Sequence, residues 1–470
     1  MRRLALSAAL AAAFALPAFA QEAQTRIPDS AVQVATQLRA QALADDTAWK
    51  VTESLTTEVG PRVAGSEADA RAVEWAKAKF KELGYDKVWT QPVTFPKWER
   101  RSERGEVIGK HAQPLTLTAL GGSPGGTVEA EVVRFDSLDA LEKAPAGSLK
   151  DKIAFVDFEM ERARDGRGYG TGSRIRGKGP SAAARAGAAA YLMRSAGTDW
   201  HRNPHTGISR FEDGLTPIPM AALSLPDAAQ LSRLVALGPT RVRLALDCGW
   251  NGEYTSQNVI GEITGGKHPE QVVVIGGHLD SWDLGTGAID DASGIGITMA
   301  AGHLIGQRKQ KPLRTIRVIA FANEEQGLHG GRAYAVSQAG KVASHQVVAE
   351  SDFGAGRIYA FSSSEHAGSK DAAVQIAEAL KPLGIEHTPG EGGPGPDVSP
   401  IAGRGAAWVS LRQDGTDYFD YHHTPDDTLD KVDPKALAQN AAAYTVMAWL
   451  AANAEGGFGS AEKPTETPQE

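Results

Sequence analysis

The chain has 470 residues, 41% of them hydrophobic and 23% charged. That is globular composition at a length suited to two domains. Its net charge of −8 becomes −10 without Arg2 and Arg3, and with no basic cluster this excludes a nucleic-acid binder. The lone cysteine, Cys248, excludes intramolecular disulfides and cysteine zinc sites, so any metal must be held by His, Asp and Glu.

Residues 1–20, MRRLALSAALAAAFALPAFA, join two arginines, an apolar stretch and an Ala18-Phe19-Ala20 site. They predict a signal peptide cleaved near Ala20, and hence a secreted or periplasmic protein. The stretch is short for a membrane anchor, and no later segment is apolar enough to span a bilayer. Residues 28–58 carry apolar positions at helical spacing. A helix from Ser66, which resembles a capping residue, to about Leu83 precedes a strand. Character changes near Leu115, and 115–252 reads as a small inserted α+β module, with helices over SAAARAGAA and DAAQLSRLVAL. Segments 21–114 and 253–455 read as the two parts of a main domain. The second part alternates strand and helix, so the fold class is α/β, a mostly parallel mixed sheet with helices on both faces. Residues 456–470 read as a disordered tail.

Chemistry gathers where strands end. GGHLDSWDLGTGAIDDASG follows the run QVVVI, NEEQG follows TIRVIAFA, ESDFG follows QVVA, and DYFDYHHTPDDT lies beyond AAWVSL. Parallel strands would open all four loops on one edge, where α/β sheets bind ligands. Such crowded carboxylates repel one another unless cations compensate. Few lysines or arginines occupy these loops. Oxygen and imidazole donors suit zinc, cobalt or manganese. Two divalent ions balance three ligating carboxylates and a hydroxide, whereas one leaves the site strongly negative.

Taken singly, each residue has a duller reading. His278 could be a hydrogen-bonded loop residue, Asp290 a helix cap, Glu324-Glu325 a solvated pair, and Asp352 a turn residue. Asp291 reads as a cap or backbone brace, Asp283 as a rim residue, and His422 as a neighbour of His423 or a substrate contact. Asp397 stays open between pocket wall and turn. His303 and His329 receive no role. Two motif matches fail. Gly121–Gly125 fits G-x-S-x-G, but Pro124 lacks the N–H an oxyanion hole needs. Gly390–Gly395 fits G-x-G-x-x-G without a strand leading in.

The ordered set His278-x-Asp280, Gly287-Ala288-Ile289-Asp290-Asp291, Glu324-Glu325, Asp352 and His423-Thr424 resembles the M28 zinc exopeptidases, and among them the carboxypeptidase Q-type dipeptidases. GHLDSWD, GEITGGKHPEQVV and GPRVAGS carry the same likeness, which covers nearly the whole mature chain. The resemblance implies two Zn2+ per chain, with Co2+ or Mn2+ as substitutes. His278, Asp290 and Asp352 would hold one ion. Asp290, Glu325 and His423 would hold the other, with a hydroxide between them. It further implies Glu324 as general base, Asp280 orienting His278, a cis Asp290–Asp291 bond, an insert like a protease-associated domain, and a homodimer. Spacing alone leaves open which of Glu324 and Glu325 meets a metal.

The expected activity is hydrolysis of dipeptides or short peptides, without nucleic-acid or membrane partners. An aminopeptidase on longer peptides, a non-catalytic metal- or peptide-binding protein, and acyl transfer on the same fold are the alternatives.

Overall fold

The computed structural model describes residues 24–463 except Glu365. The expected signal peptide and the end of the tail lie outside the described residues. Helices α1 (Asp29–Ala44), α2 (Thr47–Ser54) and α3 (Glu67–Glu82) open the chain. Ser66 caps α3 by accepting from the Asp69 N–H. Strands β1 (Lys87–Ile108), β2 (Gln113–Leu115), β3 (Leu117–Ala119) and β4 (Gly126–Phe135) follow. Next come α4 (Leu138–Glu142), β5 (Lys152–Val156), α5 (Tyr169–Arg185), β6 (Ala190–Arg194), β7 (Met220–Leu223), α6 (Leu225–Leu237) and β8 (Arg241–Ile263). The last part holds β9 (His268–His278), α7 (Ser293–Gly306), β10 (Arg314–Phe321), α8 (His329–Ser337), β11 (His345–Glu350) and β12 (Ile358–Ser363). It ends with α9 (Lys370–Leu380), β13 (Glu386–His387), α10 (Ser399–Gly403), β14 (Val409–Gln413), α11 (Tyr418–Tyr421) and α12 (Pro434–Asn453).

Among the described residues, eleven strands form one sheet, ordered β11-β9-β10-β8-β4-β5-β6-β7-β3, with β1 paired to β8 and β2 paired to β1. Both groups at its core, β11-β9-β10 and β4-β5-β6-β7, are parallel. The long strand β8 joins them. Its first residues pair with β4, its last with β10, and β1 runs antiparallel along nearly its whole length. The expected boundaries at 114/115 and 252/253 therefore fall inside strands, β2 and β8. Hydrogen-bonded ribbon, not a flexible linker, connects the two halves.

Alternation places the cores. Val273 and Ile275 of β9 face one apolar cluster with α1, α2, α7 and α12, while Val272 and Val274 face another with α8 and α10. Burial on both faces is why these strands read as unbroken apolar runs. In the other half, Ile153 and Phe155 pack toward α6, and Ala154 and Val156 toward α5. Helix α5 begins well before SAAARAGAA, through a glycine-rich stretch that periodicity does not flag.

Residues 456–463 correct the expected tail. Phe458 is buried, the Ala461 and Lys463 amides donate to the Gly405 and Arg404 carbonyls, and Ser460 Oγ accepts from the Ala407 N–H. One aromatic anchor with paired backbone outweighs the polar, glycine-rich composition.

His345 at the start of β11 is buried, with Nδ1 3.1 Å from the Lys341 carbonyl and Nε2 2.9 Å from Tyr334 Oη. Burial pushes its pKa down to about 4. The unfolded chain binds a proton there at a higher pH, so this stabilisation is complete above pH ~6.5 and is lost as pH falls toward 4. In urea unfolding, the stability gap between wild type and His345→Gln should narrow by about 2 kcal/mol from pH 7 to 4.5. A constant gap across that range would contradict this.

Candidate metal centre

Three loops leave one edge of the sheet together. In the parallel registers, His278 at the end of β9 pairs with Phe321 of β10, and Gly276 with Glu350 of β11. The chain thus delivers His278, Glu324-Glu325 and Asp352 to one place. The fourth loop arrives differently. It follows β14, which belongs to a separate three-stranded sheet with β12 and β13 and touches β11 through the parallel bridge Val348–Trp408.

Charged side chains brace the backbone around these loops. Asp291 accepts from the His278 N–H at 3.1 Å and the Gly294 N–H at 3.0 Å, stitching β9 to the start of α7. That is the brace expected of it. Gly277 and Gly294 permit this approach, since a Cβ on either would strike the Asp291 carboxylate. The Asp290–Asp291 peptide bond is cis. Asp427 accepts from the Ile289 N–H at 2.7 Å and the Asp290 N–H at 3.3 Å. Burial, then Asp290, pushes its pKa up to about 7.

Asp280 reaches the His278 ring chiefly through its backbone carbonyl. His278 Nδ1 lies 3.1 Å from the Asp280 backbone carbonyl and 3.6 Å from its carboxylate. The carboxylate instead accepts from the Glu324 and Glu325 amides at 3.0 and 3.4 Å. It sets the turn that presents both glutamates.

The donors converge on Asp290. His278 Nε2 lies 3.0 Å from Asp290 Oδ1 and 3.4 Å from Asp352 Oδ1. His423 Nε2 lies 3.2 Å from Asp290 Oδ2 and 2.9 Å from Glu325 Oε2. Metal-to-donor bonds of about 2.0–2.1 Å in a tetrahedron put neighbouring donors roughly 3.3 Å apart. The observed spacings match. Asp290 Oδ2 and Glu325 Oε1 are buried without hydrogen-bond partners, which a cation would remedy. The donor chemistry, imidazole and carboxylate without thiolate, fits zinc.

His422 also comes within 3.5 Å of Asp290 Oδ2, and the geometry permits metal at Asp290-His422-His423 as well as at His278-Asp290-Asp352. The contact of Glu325 is with His423. Asp397 is buried, accepting from the Gly331 N–H at 3.1 Å. Asp283 is half-buried and paired with Arg100.

Electrostatics follow the crowding. Burial, then neighbouring Asp352, raises the Glu324 pKa well above the ordinary carboxylate value, the His278 charge opposing. Burial also raises Glu325 and Asp352. Asp290 goes the opposite way. Burial opposes its charge, but His278 and His423 outweigh this and hold it well below the usual range. Burial, then His423, holds His422 far down.

Sequence reasoning missed Arg62, although GPRVAGS drew attention for another reason. Its guanidinium is fully buried and donates to the carbonyls of Leu279 at 2.6 Å, Thr286 at 2.7 Å and Gly287 at 2.9 Å. A positive charge therefore reaches the acidic loop from a distant segment. The cavity over the donors, about 310 Å³, is lined by Glu324, Asp352, His422 and His423 and by Tyr169, Arg176 and Ile208 from the other half of the sheet.

An α/β sheet presenting shared imidazole and carboxylate donors at its carboxyl edge, beneath a cavity, defines a metal-dependent enzyme. Residues 258–448 match the model of peptidase family M28. Bovine carboxypeptidase Q is 32% identical over 419 residues, covering 85% of this chain and 84% of the relative. The crystal structure of a peptidase M28 precursor from Shewanella amazonensis has a TM-score of 0.89 at 46% identity, covering 93% of this chain and 100% of that one. A zinc aminopeptidase from Bacillus subtilis shares the fold, with a TM-score of 0.61 at 20% identity over 85% of this chain and 93% of that one. The chain belongs to peptidase family M28, and it is a metal-dependent exopeptidase.

Replacing Arg62 should damage the loop before any chemistry is measured. Arg62→Met removes the buried donors that tie the Leu279, Thr286 and Gly287 carbonyls together and should cost about 3–5 kcal/mol in urea unfolding of metal-free protein. A stability within 1 kcal/mol of wild type, on the scale of an ordinary surface change, would refute this role.

Proposed function

We propose that the protein is a secreted two-zinc peptidase that hydrolyses dipeptides or short peptides. One observation carries the reading: two donor groups share the two oxygens of Asp290 beneath a cavity that Glu324 lines. His278, Asp290 and Asp352 would hold one ion, and Asp290, Glu325 and His423 the other. Bound zinc lowers the pKa of water and polarises the scissile carbonyl.

The remaining work falls to side chains. A Glu324 carboxylate oxygen takes a proton from the water that adds to the carbonyl carbon. It returns that proton to the amine nitrogen as the C–N bond breaks. Asp280 keeps Glu324 at this post through the two amides it accepts from. The volume, about 310 Å³, is at the small end for ligand sites and suits a short peptide. Residues 115–252 serve as an inserted protease-associated domain, walling the cavity with Tyr169, Arg176 and Ile208. The N-terminal leader supports export. No helix among the described residues is long and apolar enough to cross a membrane.

Glu324→Gln tests the reading. Zinc content by elemental analysis should stay at two ions per chain, while dipeptide turnover falls by about 10³-fold or more. Undiminished turnover would remove Glu324 from the mechanism. A stoichiometry of one zinc in an active wild type would remove the paired site.

A further inference from the structure

One cation lines the cavity and has no ionic partner among the described residues. Arg176, on α5, is 8% exposed and is the one Lys or Arg among the cavity's lining residues. It forms no ion pair with any described residue. Its Nη2 donates to Tyr169 Oη at 2.8 Å and its Nη1 to the Thr206 carbonyl at 3.4 Å. The Nε–H is buried without a partner. Room for the guanidinium comes from Gly207, where a Cβ would overlap its Cζ.

A guanidinium keeps its proton in proteins, and burying one without a counter-charge is costly. An anion held by its planar fork would complete the site. Position narrows the choice of anion. The Thr206 carbonyl that accepts from Arg176 also accepts from His423 Nδ1 at 3.1 Å. Guanidinium and imidazole thus share a single acceptor oxygen, which sets Arg176 beside His423 in the cavity wall. The carboxylates of Asp290, Glu325 and Asp352 face the imidazoles instead.

We propose that Arg176 binds the free C-terminal carboxylate of a dipeptide and thereby selects peptides that end one residue beyond the scissile bond. This rests on the peptidase reading above and adds the group that fixes where the substrate ends beyond the scissile bond. Bond cleavage is unchanged; Arg176 is a specificity residue supplied by the 115–252 segment.

The test compares kcat/KM of the zinc-loaded full chain on a dipeptide, its C-terminal amide and the matching tripeptide. Wild type should favour the free dipeptide over the amide by about 100-fold, the scale of losing one partner of a buried charge pair. In Arg176→Ala the free-dipeptide value should fall by a similar factor, chiefly through KM, and the ratio should approach one. Arg176→Lys keeps charge without the fork and should give an intermediate ratio, which serves if the alanine variant does not fold. Equal wild-type rates on dipeptide and amide would overturn the proposal while leaving the peptidase reading intact. So would a loss shared equally by both substrates in either variant, the result of mere structural damage. Failure of wild type to cleave any of these peptides would overturn the peptidase reading and this proposal with it.

Discussion

Crowding of buried carboxylates organises this protein. Asp290, Glu324, Glu325 and Asp352 meet at one sheet edge, with Glu350 and Asp397 just behind them. Burial alone raises the pKa of such groups, and each neighbour raises the next. Asp290 escapes because imidazoles stand on both of its oxygens. Protons could relieve the remainder only by neutralising the groups that the chemistry needs charged. Divalent metal held by these donors would relieve it and keep those charges. The same electrostatic demand therefore accounts for the residue types, their spacing and the shared position of Asp290.

Holding such a site requires more than the donors. Asp280, Asp291 and Asp427 spend their carboxylates on backbone N–H groups, and Arg62 spends its guanidinium on backbone carbonyls. Each fixes a loop that would otherwise move away from its neighbours' charge. Backbone conformation shows the same constraint. Asn323, Leu328 and His423 all have positive φ, at 52°, 57° and 62°, in a region that side chains disfavour. Packing and hydrogen bonds must over-determine the loops for three such residues to persist beside one cavity.

Much of this was legible in one dimension. Apolar runs marked the buried parallel strands, and acidic loops after them marked the edge where ligands bind. Side chains acting across the fold were not legible. Arg62 lies more than two hundred positions from the Leu279, Thr286 and Gly287 carbonyls it binds, and nothing in GPRVAGS states that its guanidinium will be buried. The order of Glu324 and Glu325 came from resemblance, and in the structure Glu325 is the one in contact with His423. The resemblance made Asp280 a partner for the His278 ring, and its backbone carbonyl does meet that ring. Its carboxylate turned instead to amides of another loop, which only the pairing of β9 with β10 brings near. The tail misled because composition measures average polarity, whereas one buried Phe458 decides whether a short segment packs.

The 115–252 segment is bound to the metal donors too closely to be a passive appendage. Thr206 accepts from His423 Nδ1, and His205 Nδ1 lies 2.7 Å from the His422 carbonyl. Tyr169 packs edge-on against His422, with ring centroids 5.0 Å apart. A metal-binding imidazole needs its far nitrogen engaged, because that contact fixes the tautomer and the ring's direction. Here the far nitrogen of His423 is engaged by the segment that also walls the cavity. Displacing that segment would therefore turn the His423 ring as well as open the pocket. Access and metal geometry are thus set by one set of contacts, and the continuous ribbon of β1 and β8 keeps those contacts in register.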